Sequence, residues 1–324
     1  MNSRKKSRVA VIGVGYLGKI HAEKYAMIEE AELVGVTDMN FGRAKEIAAL
    51  TKTTAYPDYK DFFGKVDAVS IVTPTESHCK IGLEFLSKGV DVLMEKPIAV
   101  NMDEAEKLVR QAEQSKAVLQ VGHLERFNAA IAALEGKIKD PVYIEAFRQS
   151  PFPNRSIDVD VVLDLMIHDI DIILSLVKSE VESVEAVGMR IISDKEDIAN
   201  ARLTFKNGCI ANINANRAAK ERVRKLNIFQ PDACMNVDYI GQQLFISKIV
   251  PGANGAYATL SDEVPELAKR DSLLEELKAF LNCSVTRSTP PVSGIDGKKA
   301  LEVAQRIQEA MHASASRFSR NTVC

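Results

Sequence analysis

From Arg8 to Gly122 the chain alternates short β-type runs with helical patterns, and no other feature narrows its possible folds so far. The β-type runs are RVAVIG (8–13), ELVGVTD (32–38), DAVSIVT (67–73), VDVLME (90–95) and AVLQVG (117–122). Between them, GKIHAEKYAMIEE, FGRAKEIAAL, SHCKIGLEFLSKG and MDEAEKLVRQAEQS each place apolar residues at helical spacing. Such a succession predicts a parallel sheet with helices on both faces, and so an α/β fold class.

The first run ends in GVGYLG, which sets Gly13, Gly15 and Gly18 in the spacing G-x-G-x-x-G with Tyr16 and Leu17 between the last two. Glycine is needed there because the chain turns tightly, the backbone approaches a pyrophosphate, and helix and strand pack closely. The helix opening near Leu17 directs its free N–H groups and positive end at the phosphates. Asp38 closes the next strand 20 residues beyond Gly18, where a carboxylate holds ribose hydroxyls and repels a 2′-phosphate. NAD is therefore the expected cofactor and NADP the less favoured one, although Arg43 lies close enough in sequence to serve a 2′-phosphate. The competing reading of Asp38 is a cap on the following helix.

Ligands in open sheets of this kind sit at the carboxyl ends of the strands. Two of those ends carry Thr73-Pro74-Thr75 and Glu95-Lys96-Pro97, and both are expected to border the cofactor. Thr73 and Pro74 form a rigid turn suited to a wall. Pro97 keeps Lys96 out of helical geometry, which fixes an extended backbone and holds the ammonium over the sheet edge. A solvated loop lysine is the alternative.

The 324 residues suffice for two domains, and 46% hydrophobic residues supply cores for both. Forty-two basic against 44 acidic residues leave a net charge of -2, which argues against nucleic acid or an anionic membrane as partner. A small molecule is expected instead. MNSRKKSR runs straight into VAVIG with no apolar signal core, and no long apolar run follows, so a soluble cytoplasmic protein is expected. Cys79, Cys209, Cys234, Cys283 and Cys324 match neither a disulfide framework nor a zinc site and read as packing residues.

VVLDLMIHDIDIILSLV (161–177) is apolar nearly throughout, yet it holds Asp164, His168, Asp169 and Asp171. On a helix, Asp164, His168, Asp171 and Ser175 fall on one narrow line, and only Asp169 lies off it. Two readings stand. The line is a wet face turned to solvent, or the helix is buried and the line borders a cavity, since buried charge is costly without partners. A metal at Asp164 and His168 would need a third ligand, and no matching His or Cys pair stands out, so none is expected.

VAVIGVGYLGKIH, IVTPT, MEKPIA, VGHLERFN and the Asp-x-x-x-His helix, in this order, resemble the glucose-fructose oxidoreductase and inositol dehydrogenase family of NAD(P)-dependent enzymes. PPVSGIDGKKALEVAQRI (290–307) looks like that family's C-terminal signature, so the likeness runs the whole length. The resemblance implies a Rossmann domain (1–122) and an α/β domain (123–324) whose open, mainly antiparallel sheet binds substrate and joins subunits. The last helix either stays with that second domain or packs back on the first. The resemblance also implies a catalytic set of Lys96, Asp164 and His168. Oxidising a secondary alcohol requires removing the hydroxyl proton while hydride leaves carbon, and His168 suits the role of base. Asp164 or Asp171 would orient its imidazole. Lys96 would place positive charge beside the developing alkoxide, which contributes about 3 kcal/mol by analogy with one oxyanion donor. One departure concerns the substrate pocket: many members have glycines just ahead of the helix, where 158–162 reads DVDVV.

In the second half, β-type runs without intervening helices dominate from Val184 to Ile249 and predict an antiparallel sheet. Its clearest hairpin is ARLTF-KNGC-IANINA, with positive φ expected at both Asn207 and Gly208. The stretch 250–265 reads as a loop, and helical patterns near 272–282 and 297–313 close the chain. An open sheet face available to a second copy predicts a homodimer or homotetramer. The run 216–239, with VGHLERFN, is most similar to family members acting on nucleotide sugars, in particular those oxidising the 3-hydroxyl of UDP-N-acetylglucosamine. Lys96, His123, Arg126, Arg155, Asp164 and His168 are the expected substrate contacts, with Arg148 and Arg217 as further cations for a diphosphate. For His123 a hydrogen-bonded structural role is the equal alternative, and His21, His78 and His312 read as structural. Three other functions fit the same scaffold: a dehydrogenase of a free sugar or inositol, a reductase of a linear-chain carbonyl, and a non-catalytic dinucleotide sensor.

Overall fold

The computed structural model describes residues 6–152, 159–252 and 257–320, so Arg155, Asp158 and Cys324 lie outside the described residues. The chain opens with β1 (Ser7–Ile12), α1 (Tyr16–Met27), β2 (Ala31–Thr37), α2 (Phe41–Thr51) and β3 (Thr54–Tyr56). It continues through β4 (Ala68–Ile71), α3 (His78–Leu86), β5 (Asp91–Met94), α4 (Met102–Ser115) and β6 (Leu119–Val121). The short α5 (Ala129–Ala132), β7 (Tyr143–Gln149) and α6 (Ile167–Val177) come next. Then follow β8 (Val181–Met189), β9 (Ile198–Phe205), β10 (Ile210–Asn216), β11 (Val223–Gln230) and β12 (Ala233–Asp238). The chain closes with β13 (Gln243–Val250), β14 (Thr259–Glu263), α7 (Ser272–Thr286) and α8 (Gly294–Arg320). It divides into two compact units: residues up to Leu124 with Asp271–Leu301, and Glu125–Arg270 with residues from Glu302 on.

The first unit holds a six-stranded parallel sheet in the order β3-β2-β1-β4-β5-β6. Its inner strands are buried on both faces; every residue of β4 and β5 is buried, which is why they read as unbroken apolar runs. The strand order reverses between β1 and β4, and that reversal opens a crevice at the carboxyl ends where a dinucleotide fits. On one face Val9 and Val11 of β1 pack with Ala22 and Tyr25 of α1 and with Leu277 and Phe280 of α7. The segment 271–301, which pattern alone grouped with the second domain, thus belongs to the first unit. Its apolar stripe completes this core. β3 was not legible as a strand, being three residues long and at the sheet edge.

The second unit holds an eight-stranded sheet in the order β14-β13-β12-β11-β7-β10-β9-β8. β7 and β10 run parallel and every other pair is antiparallel. One face is buried through Ile144 and Ala146 of β7, Ala211 and Ile213 of β10, and Leu226 and Ile228 of β11. The opposite face carries amides: Asn236 donates to Asn227 (2.9 Å), and Asn212 donates to the Tyr143 hydroxyl (2.8 Å), which donates to Glu145 (2.9 Å). Two local expectations are corrected here. In the β9–β10 hairpin only Gly208 has positive φ (87°), because a turn closed by Gly208 N–H on Phe205 O replaces the two-residue form. β14 lies within the stretch read as loop; all five of its residues are exposed, so it has no buried face to give a period of two. Among the described residues no helix is long and apolar enough to cross a membrane.

Candidate functional site

In the first unit the glycine loop shows which glycines the chain itself requires. Gly13 has φ +84°, and a Cβ there would meet Val72 O at 2.7 Å; a Cβ on Gly18 would fall on the Gly13 carbonyl oxygen. Gly15 is different. A Cβ there would meet nothing within 4 Å, so the space in front of it is open to an external group. Gly15 also stands at the cap position of α1 and, lacking a side chain, makes no side-chain cap bond there. By contrast α2, α4 and α7 are capped by Asn40, Asn101 and Asp271. A helix start whose cap residue is a glycine with open space before it fits a pyrophosphate. Tyr16 opens α1 as an exposed side chain, and Leu17 packs on the core.

Asp38 lies just past β2, and its Oδ2 accepts from Val14 N (2.8 Å) while its Oδ1 accepts from Asn40 N (2.9 Å). The carboxylate therefore links the glycine loop to Asn40, and it is Asn40 whose side chain caps α2. Arg43 reaches the same loop residue, donating through Nε to Val14 O (3.0 Å) and through Nη1 to Glu46 (2.8 Å). We expect Gly15→Ala to leave stability within about 0.5 kcal/mol and weaken dinucleotide binding ~10-fold. Gly18→Ala should instead cost about 1–3 kcal/mol through overpacking. Thermal unfolding and fluorescence titration separate the two.

Thr73 accepts from Ser77 Oγ (2.6 Å) through its hydroxyl, and Pro74 begins a tight turn in which Ser77 N–H donates to Pro74 O (3.0 Å). Glu95, expected beside the cofactor, turns its carboxylate inward. Its Oε1 lies 3.2 Å from His21 Nε2, its Oε2 accepts from Lys96 N (3.3 Å), and a Cβ on Gly122 would come within 2.8 Å of it. Glu95 therefore supports the turn that carries Lys96. His123 is also inside the protein, 1% exposed, which favours its structural reading.

In the second unit the acid-rich helix begins as a π turn, Val162–Met166, that runs into α6. Asp160 starts it: Oδ1 accepts from the amides of Val162 (3.0 Å) and Leu163 (3.1 Å), and Oδ2 accepts from Gln308 Nε2 (2.6 Å). A π turn widens the coil by one residue and recurs at functional sites; this one carries Asp164, three positions before the start of α6, which holds His168. Both side chains are half-buried. Of the four polar residues expected on one line, His168, Asp171 and Ser175 lie in α6 and Asp164 in the π turn before it. Asp171, 1% exposed, is held by Arg126 through Nε (2.7 Å) and Nη2 (3.0 Å), so both of its oxygens are engaged.

Asp169, equally buried, is held by Arg148 through Nε (2.7 Å) and Nη2 (2.9 Å), and Arg148 Nη1 donates to Glu125 (2.9 Å). Burial alone would pull the Arg148 pKa down, but Asp169 and Glu125 outweigh it and hold the guanidinium charged. Arg217, 0% exposed, donates to Asp197 (2.9 Å), Val159 O (2.7 Å) and Ser193 Oγ (3.1 Å), and its Nη1 stands 3.9 Å from Asp164 Oδ2. Burial would raise the Asp197 carboxyl, yet the amides of Ser193 and Ile192 and the Ser193 hydroxyl hold it well below the usual range. Arg148 and Arg217, expected as cations for a diphosphate, are thus internal partners of buried acids. Charges on an apolar helix need such partners, and arginine supplies several donors at once. Among the described residues no group of three or more His, Cys, Asp or Glu could hold a metal ion.

Residues 7–123 match an oxidoreductase family with an NAD-binding Rossmann fold, and residues 129–231 match the GFO/IDH/MocA C-terminal domain. The UDP-N-acetylglucosamine 3-dehydrogenase of Acidithiobacillus ferrooxidans is 40% identical over 315 residues, 96% of this chain and 99% of that one. A solved structure of that enzyme is similar with a TM-score of 0.90 at 39% identity, covering 96% of this chain and 99% of its own. The myo-inositol 2-dehydrogenase of Thermotoga maritima is 27% identical over 329 residues, 95% of this chain and 97% of that one. With both domains matched and the likeness running nearly end to end, the chain belongs to the GFO/IDH/MocA family of NAD-binding oxidoreductases and is a dehydrogenase.

Proposed function

We propose that this dehydrogenase oxidises a ring hydroxyl of a nucleotide sugar, with the 3-hydroxyl of UDP-N-acetylglucosamine as the leading substrate and NAD as hydride acceptor. The observation that carries the substrate is the 40% identity to the UDP-N-acetylglucosamine enzyme over 96% of the chain. The 27% identity to an inositol dehydrogenase supports a second reading, a free sugar or inositol as substrate.

The reaction converts alcohol and NAD⁺ into ketone, NADH and a proton. NAD, when bound, supplies the hydride acceptor. Gly13, Gly15, Gly18 and the amides of Tyr16 and Leu17 would hold its diphosphate, Asp38 a ribose, and Thr73 and Pro74 would wall the site. His168 takes the hydroxyl proton, Asp164 steadies the imidazolium that results, and Lys96 stabilises the developing alkoxide. Arg217 stands 3.9 Å from Asp164 and places its positive charge beside that acid. Arg126 and Arg155 are the arginines proposed for the substrate diphosphate. The open amide face of the second sheet supports a homodimer or homotetramer, which light scattering on a sizing column measures.

For the cofactor, the Asp38 carboxylate beside Val14 favours NAD by repelling a 2′-phosphate, while Arg43 stands ready to accept one. Asp38→Ser is therefore expected to raise kcat/KM for NADP by ~10- to 100-fold, with a matching fall for NAD. For the substrate, protein incubated with NAD and UDP-N-acetylglucosamine should raise absorbance at the reduced-nicotinamide band. Silence there, with turnover of inositol or a free sugar, selects the second reading.

A further inference from the structure

The turn that carries Lys96 is fixed on both sides by buried groups. On the N-terminal side Glu95 N–H donates to Ile71 O (3.0 Å), and the Glu95 carboxylate lies between His21 and Gly122. On the C-terminal side stands His78, the first residue of α3 and 1% exposed. Its Nδ1 is 3.0 Å from Pro97 O and its Nε2 is 2.9 Å from Thr73 O. Both neighbours are backbone carbonyls, which only accept, so each contact is a hydrogen bond only when that ring nitrogen carries a proton. The neutral ring donates to one carbonyl and the protonated ring to both. Burial pulls the imidazole toward the neutral form, against the pull of the two carbonyls and of the Glu95 charge. The protonated ring bonds both turns, and the neutral ring with its proton on Nδ1 ties the Pro97 carbonyl to the start of α3.

We infer that His78 is a positioning residue for Lys96, tying the turn that bears the lysine to the turn that follows β4. Pro97 O belongs to the residue directly after Lys96. Thr73, at the far end of the bridge, has its methyl group 2.9 Å from where a Cβ on Gly13 would stand, so the ring links the lysine to the wall of the glycine loop. Glu95 and Pro97, the residues on either side of Lys96, are thus both held through buried contacts. Without the ring, the Pro97 carbonyl loses a buried donor and the turn shifts to recover one. A displacement of about 1 Å in a catalytic group costs on the order of 10²-fold in rate.

The inference rests on the reading of Lys96 as a catalytic group, and the test separates the two. His78→Leu is expected to lower kcat by ~10²-fold and leave KM for the sugar within a few-fold, while His78→Gln, whose amide can donate, recovers part of the loss. A double-variant cycle with Lys96→Ala is the deciding kinetic readout. Once Lys96 is gone, His78→Leu should cost little more, because both act through one ammonium. Losses that multiply fully overturn the inference. Imidazole ¹⁵N spectra of the wild-type protein, assigned by the signal missing in His78→Gln, should show a ring N–H protected from solvent exchange. Free exchange overturns the bridge whatever the kinetics. If Lys96→Ala turns over at the wild-type rate, the catalytic reading of Lys96 fails and the inference falls with it, while the ring N–H still reports whether the bridge exists.

Discussion

Replacing His168 with alanine is expected to lower kcat by about 10³-fold, the middle of the range for a positioned general base, with the dissociation constant for NAD unchanged. An alcohol cannot lose hydride at a useful rate while its hydroxyl proton stays in place, and a neutral imidazole is the side chain suited to take that proton near neutrality. Asp164 enters through the same proton. Its Oδ2 stands 3.9 Å from Arg217 Nη1, and its proposed role is to steady the imidazolium once formed. Lys96→Met should produce a similar fall, about 10²- to 10³-fold, by removing the cation that meets the alkoxide. If both residues serve one oxygen, as in the proposed reaction, the pair of substitutions should lose less than the product of the two losses. Stopped-flow single-turnover rates, with NAD titration as control, check each variant. A non-catalytic dinucleotide sensor would instead show no turnover in the wild-type protein for either substitution to reduce.

The second large effect is on stability. Asp169→Ala removes the acid that holds both Nε and Nη2 of Arg148 inside the second unit, where Glu125 alone would remain to face that guanidinium. Breaking a buried pair from one side costs about 3–5 kcal/mol, because a charge is left without its partner. The double substitution Arg148→Met with Asp169→Leu removes both charges and should recover more than half of that loss. Glu125 keeps a partner in the double variant, since Arg224 also donates to it (3.1 Å). Urea unfolding followed by circular dichroism measures both. Equal destabilisation of the single and double variants would mean that shape, not charge balance, sets the cost at this site.

Much of the first unit is legible in the sequence for a physical reason. Strands buried on both faces must be apolar throughout, glycines are forced where a Cβ would strike backbone, and both constraints are local. Asp38 is legible for the same reason, as its partner Val14 belongs to the adjoining motif. Helix ends are harder to read. Lys52, Lys116, Lys178 and Arg287 take the left-handed conformation that ends α2, α4, α6 and α7, where glycine would have announced the stop.

Three further features depend on distant residues and leave little trace in pattern. The apolar stripe of α7 says that the helix is buried but not in which core. Asp169 and Asp171 read as anomalies on an apolar helix, and nothing nearby in sequence names Arg148 and Arg126 as their partners. His78 reads as an ordinary helical histidine until Thr73 and Pro97 are brought to its two nitrogens. Its one local signal is the TPTESH run, in which the histidine follows the turn by a few residues.

The central claim is that hydride leaves a sugar ring carbon for NAD on this protein, and isotope transfer tests it most directly. UDP-N-acetylglucosamine deuterated at C3 should yield reduced nicotinamide carrying the deuterium at its C4, with a keto sugar as co-product. Reduced nicotinamide free of label would move the reaction to another carbon. Deuterium kept entirely on the sugar, with no nicotinamide reduced, would contradict the account.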